Sequence, residues 1–194
     1  MIVMGVDPGA STGVAVLEVD GRGGARWVDG RTVVSPDGAC ACEVMDIVAR
    51  CRAEFVIIER PAGGIYQAAR AAALLDSAVL AGMIEGRVMA WYGLADTSMP
   101  WRGTRAMHVT APTWRGVLVG SQRATDQQIA RMVAARVTGL PARTSVHVRD
   151  AIGCALWGAH PSSSRGDPRL MARPYQARLR GVAGRPARAA PGRS

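Results

Sequence analysis

The apolar positions fall into short blocks separated by turn-forming residues. Ile2-Val3-Met4-Gly5-Val6 is an apolar run of strand length that ends in one carboxylate, Asp7. A turn rich in Gly and small residues follows, Pro8-Gly9-Ala10-Ser11, and a second apolar run through Val14, Val16 and Leu17 leaves it. This predicts a strand, a tight turn and an antiparallel strand. Asp20-Gly21-Arg22-Gly23-Gly24 predicts a hairpin turn into a third strand over Ala25 to Val34. From Ala39 to Arg52, Val44, Ile47, Val48 and Cys51 recur at helical spacing. Phe55-Val56-Ile57-Ile58 does not alternate, which suits a strand covered on both faces, and it ends in Glu59.

Pro61-Ala62-Gly63-Gly64 breaks the chain. From about Ile65 to Met89 an Ala-rich helical pattern is apolar over a broad arc, as in a helix buried in the body or in a dimer contact. Trp91 to Arg105 has no clear period and reads as a loop. Met107 to Thr110 fits a short strand. Thr125 and Gln128 fit a capping box for a helix carrying Ile129, Met132, Val133 and Val137, stopped by Gly139-Leu140-Pro141. Thr144 or Ser145 caps a last helix from about Val146 to Ala159. The order β-β-β-α-β-α-(β)-α-α predicts an α/β fold: a mixed sheet, antiparallel at its three-strand start and then parallel, with helices on both faces. There are no internal repeats.

Composition refines this picture. At 194 residues and 48% hydrophobic, the chain is long enough for one domain with a packed core. No apolar run approaches the ~20 residues of a membrane-spanning helix, and the N-terminus lacks the basic segment and apolar run of a secretory signal, so no membrane partner is expected. Cys40, Cys42, Cys51 and Cys154 lack paired zinc spacing and read as free thiols of a reducing compartment, the cytoplasm. The formal net charge is +9, with arginine as the sole lysine-or-arginine type, and the isoelectric point is near 10.8. Such a balance points to a polyanion, most often nucleic acid. The charge is uneven. Residues 161–194 hold eight arginines against Asp167, net +7, leaving about +2 for residues 1–160. The chain therefore divides into a domain at 1–160 and a basic Arg/Pro/Gly-rich tail at 161–194, expected to be disordered and to bind nucleic acid through counterion release.

Four residues carry candidate chemistry. Asp7 and Glu59 each end an apolar strand. His147 and Asp150 stand at i and i+3 on one face of the last helix, near its start. Singly, each has an ordinary reading: a turn residue, a surface pair with Arg60, an exposed helix start, a carboxylate complementing the helix dipole. If the two strands are neighbours, the helix start closes a site of three carboxylates and an imidazole, which repel unless cations compensate them. Hard oxygen ligands suit Mg²⁺ or Mn²⁺, and two such ions are a known solution to phosphodiester hydrolysis.

These residues carry a family resemblance. Gly5-Val6-Asp7-Pro8-Gly9 with Gly13, then Val56-Ile57-Ile58-Glu59, then Pro112-x-x-Arg115 with Val119-Gly120, Ala124 and Gln128-Ile129-x-x-Met132-Val133, and last His147-x-x-Asp150-Ala151 with Ala155, appear in this order. The sequence resembles the RuvC-type Holliday junction resolvases of the ribonuclease H-like superfamily, over Ile2 to about Ala159. The resemblance implies a ribonuclease H-like nuclease domain, metal-dependent cleavage of branched DNA by a homodimer, and a metal site of Asp7, Glu59, His147 and Asp150. It marks Arg115 as a DNA contact. Arg123 and Arg149 join it as candidates from their proximity in sequence. Two departures stand out. Asp126 falls where the family commonly has a basic residue, for which Arg123 is the nearest substitute. No aromatic residue follows Glu59 directly, and Tyr66 is the nearest candidate for stacking on bases. With the untypical stretch from Trp91 to Arg105 and the basic tail, these departures fit a divergent member borne by a phage or mobile element, and the expected setting is the cytoplasm, on the nucleoid or in a phage-infected host.

Other functions remain in view. A related nuclease on RNA or RNA–DNA hybrid would use the same metal site. A non-catalytic junction-binding protein is disfavoured because all four metal positions hold ligating residues. A sugar-kinase or actin-like ATPase also begins with an Asp at a strand end, but needs two such halves, and this chain has room for one.

Overall fold

Apolar strand runs and amphipathic helices assemble here around one sheet with two covered faces. The structure, a computed structural model, describes residues 1–20, 24–35, 37–61, 68–95 and 106–160. Tyr66, the segment 161–194 and residues 96–105 lie outside them. The elements are β1 (Ile2–Asp7), β2 (Thr12–Val19), β3 (Ala25–Val33), α1 (Asp37–Cys51), β4 (Phe55–Arg60), α2 (Ala68–Ala95), β5 (Ala106–Thr110), α3 (Ala111–Val119), α4 (Asp126–Arg136), β6 (Val137–Thr138) and α5 (Val146–Ala159).

The sheet order is β5-β4-β1-β2-β3-β6. β1–β2 and β2–β3 are antiparallel, while β1–β4, β4–β5 and β3–β6 are parallel. The mixed sheet expected from the sequence is observed. Side chains alternate across it. On one face, Val3, Ala15, Leu17, Ile57 and Val109 pack with residues of α3, α4 and α5. On the other, Met4, Val6, Val14, Val16, Val56 and Ile58 pack with α1 and α2.

Helix ends follow the sequence signals closely. Thr125 accepts from the Gln128 amide and Gln128 Oε1 accepts from the Thr125 amide at 2.9 Å, the reciprocal cap of α4. Ser145, one of the two expected residues, caps α5 by accepting from the Val148 amide at 3.2 Å. Two local expectations need correction, and one segment gains an element. The stretch from Trp91 is helical as far as Ala95, because α2 continues past Met89. Residues 111–119, to which the sequence reading assigned no element, form α3, opened by Pro112 in its first turn and ended by Gly120 at φ 82°. Val137 leaves α4 and pairs with Ala25 as an edge strand.

Helix α2 has two apolar faces. Leu80, Ala81, Ile84 and Val88 are buried against the sheet. Leu75, Val79, Gly82, Gly86 and Met89 form a second stripe on the opposite side, and it is exposed. No helix of the described residues is long and apolar enough to cross a membrane.

Candidate active site

The alternation that builds the core also aims the candidate carboxylates. Asp7 has the parity of Val3 and Gly5, and Glu59 that of Ile57, so both point to the face covered by α5. β1 and β4 pair in parallel up to Val6 with Ile58. Asp7 and Glu59 are each the next residue, at the same end of neighbouring strands.

Two glycines let α5 come down onto that end. A Cβ at Gly5 would lie 1.9 Å from Ala151 O, and one at Gly13, the antiparallel partner of Asp7, would lie 2.0 Å from His147 O. Backbone therefore meets backbone with no side chain between. The turn beneath is held by buried Thr12, whose hydroxyl donates to Gly9 O at 3.0 Å and accepts from the Gly9 amide at 3.3 Å. This approach places His147 Nδ1 3.2 Å from Asp7 Oδ2. Asp150, one turn further, accepts from Arg115 Nη2 at 3.2 Å through Oδ2, while its Oδ1 is buried with no hydrogen-bond partner. Glu59 Oε2 accepts from the Trp114 indole N–H at 2.8 Å, with the Cys154 thiol at 3.8 Å. The Arg115 guanidinium lies 5.1 Å over the Trp114 ring.

The electrostatics follow from this enclosure. Burial pushes the Asp7 carboxyl up to about 7; the Asp150 charge adds to the effect and Arg115 opposes it. Burial, then the charge on Asp7, push Glu59 up to about 7, against the Trp114 hydrogen bond. Burial also raises Asp150, with Arg115 the strongest opposing group and Asp126 adding to the rise. Asp126 is thus a further acid acting on the site, from the position where a basic residue was anticipated. Burial raises the Cys154 thiol well above its ordinary value, so it stands beside Glu59 as a neutral group.

The other sequence candidates are placed differently. Arg115 is in the site. Arg123 is exposed in the turn between α3 and α4. Arg149 is turned back on its own helix start, where Nη1 donates to Thr144 O at 2.7 Å. Tyr66 lies outside the described residues. Sequence reasoning missed Trp114 and Cys154. The available signal was their proximity to Arg115 and Asp150, but no helix was assigned to residues 112–120.

Among the described residues no group of three or more His, Cys, Asp or Glu side chains is arranged to hold a metal ion as it stands. The donor set nevertheless fits a hard cation. Asp7 and Glu59 are partly buried carboxylates raised toward neutrality, and Asp150 Oδ1 is a buried acceptor without a partner. A divalent cation relieves both conditions at once.

A mixed sheet in this order, with acids at the ends of two parallel neighbours, is the ribonuclease H-like fold expected from the sequence. No protein-family model and no curated protein matches the sequence. Solved structures do match. Thermus thermophilus RuvC in complex with a Holliday junction substrate is 24% identical, with 82% of this chain and 93% of that chain covered and a TM-score of 0.62. A second structure of Thermus thermophilus RuvC has the same identity and coverage and a TM-score of 0.56. The yeast mitochondrial Holliday junction resolvase Ydc2 is 9% identical, with coverages of 79% and 77% and a TM-score of 0.54. The chain has the fold of the RuvC-type resolvases, as its four motif blocks implied.

Proposed function

We propose that this chain is a divalent-metal-dependent endonuclease that cuts branched DNA, with Mg²⁺ or Mn²⁺ as cofactor, two ions per site, acting as a homodimer. One observation carries the reading: two strand-end carboxylates, Asp7 and Glu59, are closed over by His147 and Asp150 of α5 in the fold of a junction resolvase. A solved relative in fold holds a Holliday junction substrate.

Asp7, Glu59, Asp150 and His147 are the proposed ligands. A divalent cation held by them would supply the chemistry of water activation and of charge stabilisation at the leaving oxygen. The protein's own contribution is placement and charge. The close approach of α5 at Gly5 and Gly13 fixes the separation of the four groups. Arg115 offers a half-buried guanidinium beside Asp150, a charge-assisted donor for a phosphate oxygen. Outside the site, the basic segment 161–194 adds affinity for any polyanion.

The exposed stripe on α2 supports the dimer. Leu75, Val79, Gly82, Gly86 and Met89 follow a spacing of four and three residues, a coiled-coil-like seam. Leu75, Val79 and Met89 are 63%, 49% and 48% exposed. Two symmetric sites suit two symmetric cuts in a four-way junction. The expected setting is the cytoplasm, on nucleoid or phage DNA.

The test is cleavage of a synthetic four-way junction beside linear duplex and RNA–DNA hybrid, with Mg²⁺, Mn²⁺ or EDTA. Metal-dependent cutting of the junction alone is expected. Cutting of the hybrid instead would reassign the substrate, and tight junction binding without cutting in either metal would make the chain a non-catalytic binder.

A further inference from the structure

We infer that Trp114 is a positioning residue for Glu59: its indole N–H commits one oxygen of that carboxylate to the protein and leaves Oε1 as the oxygen free to hold a metal ion. The inference rests on the metal-site reading above and adds to it a residue that reading does not need.

The observations are geometric. Trp114 is the largest fully buried side chain of the described residues. Its Nε1–H is a donor only, so burial obliges it to find an acceptor. That acceptor is Glu59 Oε2 at 2.8 Å. Asp7 and Asp150 crowd the Glu59 carboxylate with like charge, and one strong directional bond from a rigid group fixes the orientation it takes among them.

The indole is itself immobilised by a slot. A Cβ at Gly153 would lie 2.6 Å from Trp114 Cζ3 and 2.8 Å from Cε3, so the ring fits only because α5 has no side chain there. Gly153 stands one turn beyond Asp150 on the same helix. Trp114 therefore links β4, which carries Glu59, to α5, which carries Asp150 and His147. The next residue, Arg115, bonds Asp150. Two adjacent residues of α3 thus hold two carboxylates from two different elements. The Cys154 thiol, 3.8 Å from the same Glu59 oxygen, reinforces the choice of Oε2 as the protein-facing atom.

The test is a Mg²⁺ titration of the full chain without DNA, followed by the five tryptophan indole N–H resonances in ¹H–¹⁵N spectra, for wild type, Trp114→Phe, Glu59→Gln and the double variant. Trp114→Phe keeps the buried ring and removes the donor. It is expected to weaken Mg²⁺ binding about tenfold or more in the wild-type background. In the Glu59→Gln background it is expected to have no further effect, because its influence runs through Glu59. A merely structural role would weaken both backgrounds equally, and that result overturns the inference. In wild type, the Trp114 indole resonance should shift on Mg²⁺ addition, and it should move upfield in metal-free Glu59→Gln. That signal decides the question even where Trp114→Phe does not fold; an indole resonance indifferent to both Mg²⁺ and Glu59→Gln overturns the inference. Wild type that binds Mg²⁺ in a Glu59-dependent way, with Trp114→Phe equal to it, overturns this inference alone. Wild type that binds no Mg²⁺ overturns the metal-site reading and this inference with it.

Discussion

His147 Nδ1 lies 3.2 Å from Asp7 Oδ2, although 140 residues separate them in the chain. The contact exists because Gly13, paired with Asp7 across the hairpin, presents bare backbone to the His147 carbonyl. Packing of the smallest side chains thus sets the geometry of the charged ones.

Gly13→Ala is therefore expected to damage the site more than the fold. A methyl 2.0 Å from a carbonyl oxygen forces α5 outward, at a cost of about 1–3 kcal/mol, and displaces His147 and Asp150 together. Thermal unfolding and junction cleavage, measured side by side, should show a folded protein with little activity. Gly38→Ala, in α1, meets nothing within 4 Å and should leave activity intact while adding roughly 0.5 kcal/mol of stability. Equal effects of the two changes would contradict the close-approach account.

The buried acids predict an inverted pH dependence of stability. Asp7 and Glu59 are raised to about 7 in the fold, from ordinary values of 3.8 and 4.5. Between those limits the folded state holds protons that the unfolded state has released, so their contribution to stability falls as pH rises from about 4 to 7. Asp7→Asn removes one of them. In metal-free buffer at pH 8 it should unfold at a higher temperature than wild type, by an amount corresponding to roughly 2 kcal/mol, and the gap should shrink toward pH 4. Added Mg²⁺ should stabilise wild type and not the variant. A variant less stable than wild type at pH 8 without metal would contradict the picture.

Arg115 and Arg123 separate by position. Arg115→Ala should weaken junction binding in EDTA about tenfold and lower the salt slope by about one, as expected for a lost phosphate contact. It also removes the cation bonded to Asp150 Oδ2, so Mg²⁺ affinity should be unchanged or higher. Arg123→Ala, exposed and outside the cluster, should change neither by more than a factor of about two. Fluorescence-detected junction binding across a salt series measures both.

The apolar stripe of α2 predicts a dimer that charge can break. Leu75→Asp with Val79→Asp should convert the protein to a monomer in sedimentation equilibrium, with the fold retained, because both side chains face away from the core. The monomer should nick junctions singly and lose paired cutting. A monomeric wild type would contradict the assignment.

Much of the candidate site was legible because its signals are local. Asp7 and Glu59 are visible as carboxylates closing apolar runs, and His147 and Asp150 share a helix face by spacing alone. The reciprocal cap of Thr125 and Gln128 was readable for the same reason. What escaped depends on contacts distant in sequence. Gly5 and Gly13 read as turn-and-strand glycines until α5 is seen lying on them. Trp114 sits in a nine-residue helix too short for its period to show, and its partner is 55 residues away. Asp126 read as a departure at a basic position, and its action on Asp150 needed the fold. The two-residue strand β6 is imposed by the edge of β3, against the helical pattern of its own segment.

The most direct test of the central claim is single-turnover cleavage of a four-way junction by wild type, Asp7→Asn, Glu59→Gln and Asp150→Asn, in Mg²⁺ and in EDTA, with junction binding measured in parallel. The account predicts paired symmetric cuts by wild type in Mg²⁺ only, and variants that bind the junction within a few-fold of wild type yet cut no faster than the EDTA control. An Asp7→Asn protein that cuts at the wild-type rate, or wild type undiminished in EDTA, would contradict it.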